Sequence, residues 1–116
     1  MDNAIVSQFT QRFAPRWKRG PRWMWMPKGV IADGSWFEQL SVSGLKSVWV
    51  YIEGRELRSA SPVEVRDYLA VQQPWDDDRM YVFGETLGWC FVSTGELSDQ
   101  GSNDEMTIQH FVVTLN

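Results

Sequence analysis

Few residues of this chain have the chemistry of catalysis: one thiol, Cys90, one imidazole, His110, and a run of three carboxylates at Asp76, Asp77 and Asp78. A thiol beside a base is a nucleophile, and carboxylate oxygens suit hard divalent cations. The neighbouring sequence assigns plainer roles. Cys90 lies inside Leu87-Gly88-Trp89-Cys90-Phe91-Val92, where a strand needs a small buried hydrophobe. His110 has no Cys, His or carboxylate at a ligand spacing and reads as a satisfied sheet residue. The aspartate run lacks the glycine and the distal glutamate of a calcium loop and reads as a solvated turn. No phosphate-binding loop, His-Glu-x-x-His or glycine-rich dinucleotide turn occurs. The expectation is a protein with no catalytic residue, no metal and no cofactor.

Binding chemistry is better represented. Trp75 precedes Asp76, Asp77 and Asp78, which sets an aromatic anchor beside an anionic patch; interface centres favour Trp, and rim charges steer a complementary partner. The opposite chemistry occupies Arg16, Trp17, Lys18, Arg19, Arg22, Trp23, Trp25 and Lys28, where cations could meet phosphates and indoles could stack on bases. Charge is split to match. Residues 1 to 50 carry seven Lys or Arg against three acids, and residues 51 to 116 carry four against twelve, so the halves are +4 and −8 and sum to −4. The acidic half opposes non-specific nucleic-acid affinity and points to a basic partner. The basic strip has a second use, pairing with the acidic half inside the fold.

These residues must be positioned by short elements. Ile5, Phe9 and Phe13 recur every four residues and predict a helix from an Asp2 or Asn3 cap to Pro15. Ser61-Pro62-Val63-Glu64 is a capping box with proline at the first helical position, and predicts a second helix that Pro74 ends. Strands are expected at 22 to 26, over Trp36 to Val42, and over Lys46 to Glu53, the last apolar on both faces and therefore interior. Met80 to Phe83 and Leu87 to Ser93 read as a hairpin joined through Gly84-Glu85-Thr86, and Met106 to Leu115 as a closing strand. Thr94 to Glu105 reads as an exposed, mobile acidic loop. The predicted architecture is α+β: a mainly antiparallel sheet of five to six strands with two helices, in the order α-β-β-β-α-β-β-β, both helices on one face.

With 116 residues, 43% of them hydrophobic, the chain is expected to form a single domain with a real core. Seven Trp, six Phe and three Tyr supply rigid contact area for core and recognition surface alike. One cysteine permits no internal disulfide, and neither a signal peptide nor a run of 18 apolar residues is visible. The expectation is a cytoplasmic protein without a membrane segment.

The acidic segment Trp75-Asp76-Asp77-Asp78, the second acidic segment from Glu96 to Glu105 and the Trp-rich α+β composition together resemble a small bacterial immunity protein, which binds and blocks a cognate toxin domain. The stretch Tyr81-Val82-Phe83-Gly84-Glu85-Thr86-Leu87-Gly88-Trp89-Cys90-Phe91-Val92 is similar to hairpins of small bacterial proteins encoded near such toxins. The resemblance implies a basic toxin, many of them nucleases, whose active site is covered by carboxylates that mimic phosphates. It casts Asp76, Asp77, Asp78 and Glu85 as the negative surface, Trp75 as the anchor, and Asp99, Asp104 and Glu105 as a second contact. Two other classes stay open: a nucleic-acid-binding accessory protein using Arg16, Lys18, Arg19 and Arg22, and a carbohydrate or small-ligand module with Trp stacking platforms.

Overall fold

A computed structural model describes residues 4–32, 36, 44–71, 79–97 and 106–115. The sheet has six strands, β1 (Val30–Ile31), β2 (Val48–Ile52), β3 (Glu56–Ala60), β4 (Met80–Phe83), β5 (Trp89–Leu97) and β6 (Met106–Thr114), in the spatial order β1-β6-β5-β4-β2-β3. All neighbours are antiparallel. Helix α1 spans Ala4–Phe13 and α2 spans Pro62–Ala70, which makes the class α+β.

Alternation along the strands divides the core in two. Val48, Val50, Ile52, Met80, Val82, Phe91 and Val112 point to one face, where Val65 and Leu69 of α2 meet them. Tyr51, Tyr81, Phe83, Cys90, Val92 and Val113 point to the other, under Phe9 and Phe13 of α1. The helices therefore cover opposite faces, not the single face expected. The central strands β2 and β4 are apolar at every position, so each face needs a cover.

Helix α2 begins as its sequence requires, whereas the Asp2 or Asn3 cap expected for α1 lies outside the described residues. The Ser61 Oγ accepts from the Glu64 N–H at 3.1 Å and the Glu64 carboxylate accepts from the Ser61 N–H at 3.2 Å, closing the capping box. On α1, Phe9 and Phe13 are wholly buried, and Phe9 stacks on Phe83 with centroids 4.6 Å apart.

The order of elements along the chain, α-β-β-β-α-β-β-β, agrees with expectation, but some strands come from other segments. Arg22–Trp25 is a single 3-10 turn rather than a strand. Of the strand expected over 36 to 42, only Trp36 is described, and its backbone is helical; its indole packs edge-on to Trp89 at 4.8 Å. The strands without a counterpart among those expected are β1 and β3, and β5 runs on through Thr94 to Leu97, paired with Gln109 to Met106, where a loop was expected. At the β1 edge, a Cβ on Gly29 would lie 2.5 Å from Phe111 Cδ2 and 2.8 Å from the Val112 carbonyl oxygen. Gly29→Ala is therefore expected to cost about 1–3 kcal/mol through overpacking, read as a lower denaturation midpoint. An unchanged midpoint would mean that the approach to β6 is looser than described.

Candidate functional site

The most connected polar group joins the basic segment to the sheet. Arg22 forms an ion pair with the Glu53 carboxylate, both side chains only 12–13% exposed. Its Nε donates to Thr10 Oγ1 at 2.8 Å, one terminal nitrogen donates to Tyr51 Oη at 3.1 Å, and its guanidinium lies 3.9 Å from the centroid of Trp17. Glu53 also accepts from the Arg22 N–H and the Tyr81 hydroxyl, each at 2.7 Å, while the Trp23 N–H donates to Tyr81 Oη at 2.8 Å. Burial first, and then the hydrogen bond to the Glu53 carboxylate, hold the Tyr81 phenol far above its ordinary range, so it stays a neutral donor. Each charged group has partners, and the arrangement clamps residues 14–26 onto the face that carries α1.

This settles the place of Arg22, which is turned inward onto Glu53, whereas Arg16, Lys18 and Arg19 are exposed. Of the indoles beside them, Trp25 is exposed, Trp17 is stacked by Arg22, and Trp23 is half-buried with its Nε1 lacking a partner among the described residues.

Cys90 is wholly buried in the core under α1, where desolvation raises its thiol pKa and disfavours the thiolate a nucleophile needs. His110 pairs across the sheet with Ser93 and lies 5.5 Å from the Phe91 ring. No three His, Cys, Asp or Glu side chains among the described residues are placed to hold a metal. No helix among them is long and apolar enough to cross a membrane.

A concave site forms where α1 meets the turn between β4 and β5. Ile5, Trp49, Phe83 and Leu87 wall a depression of about 240 Å³, with Gln8 and Glu85 as its polar members. Glu85 is exposed. The turn is closed by the Leu87 N–H donating to the Gly84 carbonyl at 3.1 Å, and α1 is tied to it by Arg12 Nε donating to the Leu87 carbonyl at 3.3 Å. Leu87 has φ 55°, a left-handed conformation that costs a residue with a Cβ roughly 1–2 kcal/mol. A non-glycine residue persists there when its surroundings over-determine it, and Leu87 packs into the core under α1.

Glu85 is thus the one expected acidic contact that the described residues place, and it stands beside a pocket. Trp75, Asp76, Asp77, Asp78, Asp99, Asp104 and Glu105 lie outside the described residues. Trp49 was missed as a site residue because an interior strand's indole reads as core; its neighbour Gln8, on the turn of α1 beside the apolar stripe, carried no signal by itself. Compared with known proteins, the chain matches no family model, no curated protein and no solved structure.

Proposed function

We propose that this protein acts by binding another protein, a basic toxin domain whose active site it covers, as the immunity-protein resemblance implies. The observation that carries the reading is the depression beside Glu85. Its indole wall, with Ile5 and Leu87, suits the methylene stem of a long side chain, and the Glu85 carboxylate and Gln8 amide suit a cationic head. A Lys or Arg of the partner meets both requirements. The −8 balance of residues 51 to 116 supplies the long-range attraction that brings such a partner in.

The test is to recover the partner from native lysate on the tagged protein, then measure binding of the purified pair and growth of cells making the partner alone or with this chain. Trp49→Leu should weaken binding by about 2 kcal/mol, chiefly through faster dissociation, as loss of an anchor wall does. Glu85→Gln should mainly slow association and flatten its salt dependence. A partner that does not arrest growth would refute the antidote role. Retention of nucleic acid in place of protein would instead assign function to Arg16, Lys18 and Arg19.

A further inference from the structure

Among the described residues the sheet ends on one side at β3, whose Glu56, Arg58 and Ser59 are exposed. Neither Glu56 nor Arg58 is held in an ion pair among the described residues. An edge strand offers unpaired backbone donors and acceptors to any second strand, and charges there ordinarily repel it. These two charges do the reverse. They are opposite in sign and two residues apart, so they lie on one face, the face of α2, because Arg58 pairs with Val50 of that core.

We infer that β3 is a self-pairing edge, through which two copies of this chain join antiparallel about a two-fold axis at Leu57. Such an axis keeps both copies' faces aligned, so residues on the same face oppose one another, and only a few registers are possible. Centring on Glu56 or on Arg58 sets that residue against its own copy, like charge on like charge. Centring on Leu57 sets Glu56 against Arg58 of the second copy, twice, and Leu57 against Leu57 on the opposite face. Opposite charges directly across a strand pair attract, so this register is favoured. Five paired residues fall short of the roughly 1,200 Å² that a stable interface buries, so the dimer is weak and forms as concentration rises. The surface is distinct from the depression beside Glu85 and does not depend on the toxin reading.

Sedimentation velocity over a concentration series tests it through charge exchange. The unaltered chain should shift from monomer to dimer as concentration approaches the millimolar range. Glu56→Arg and Arg58→Glu should each lower the association constant by about tenfold or more, because each sets like charges opposite one another twice. The two variants mixed should associate with each other, and the double variant Glu56→Arg with Arg58→Glu should dimerise as the unaltered chain does. Both positions are exposed, so circular dichroism should show the variants folded. A chain that stays monomeric, a dimer indifferent to either single change, or no recovery in the mixture would each overturn the inference.

Discussion

Glu53→Ala is expected to destabilise the fold by about 3–5 kcal/mol, the range for removing one partner from a desolvated ion pair. The change would leave the Arg22 guanidinium charged and largely out of water, and would strip the acceptor from both the Arg22 N–H and the wholly buried Tyr81. Tyr81 cannot answer by ionising, because burial already favours its neutral form. Glu53→Gln should cost less, since its amide oxygen still accepts from Tyr81. A double-mutant cycle with Arg22→Met by urea denaturation separates the pair from the penalty of an orphaned charge: replacing both should cost clearly less than the sum of the single changes. The same variants should be cut faster by protease between Pro15 and Met26, because the clamp holds that segment to the sheet. Additive losses below about 1 kcal/mol would mean that the pair is effectively solvated.

The second large effect concerns α1. Phe9→Ala is expected to cost about 3–5 kcal/mol, the range for deleting a buried phenyl, and Phe9→Leu markedly less. Phe9 is wholly buried and its ring lies 4.6 to 6.3 Å from those of Phe83, Tyr81, Phe13 and Tyr51, so few neighbours can collapse into the space. The consequence should reach the depression, because Ile5, one turn earlier, and the adjacent Gln8 stand on the same helix. Phe9→Leu, measured by the same denaturation and by partner binding, should retain most of both. Unchanged stability in Phe9→Ala would contradict the packing of α1 on this face.

The parts of the fold written in local signals were legible: the Ile5, Phe9, Phe13 stripe, the Ser61 capping box, and the doubly apolar runs that became β2 and β4. Strands defined by their neighbours were not. Glu56-Leu57-Arg58-Ser59-Ala60 has Leu57 as its one large hydrophobe, and what makes it a strand is the turn at Gly54, φ 71°, that returns the chain along β2. Thr94-Gly95-Glu96 has loop composition but is held by pairing with β6. The Trp23/Trp25 alternation suggested a strand, yet Pro21 and the bonds of Arg22 to Glu53 and of Trp23 to Tyr81 fix a 3-10 turn. The opposite placement of the helices was implicit in β2: a strand apolar on both faces requires a cover on both.

The site was partly legible for the same reason. Glu85 is marked by a turn between two apolar runs, and an exposed carboxylate there follows from composition. The pairing of Arg22 with Glu53, 31 residues away, follows from no local pattern, and it takes one cation out of a strip that reads as uniformly basic. Trp49 and Gln8 become neighbours only through the docking of α1 on the sheet.

The most direct test of the central claim is the association rate of the purified chain with its partner, measured by stopped flow over a range of salt for the unaltered protein, Glu85→Gln and Trp49→Leu. The account predicts an association rate that falls steeply with salt, a shallower fall in Glu85→Gln, and a faster dissociation in Trp49→Leu with little change in association. Rates indifferent to salt and to both substitutions would contradict it, and would place the contact on a face other than the depression between α1 and the β4–β5 turn.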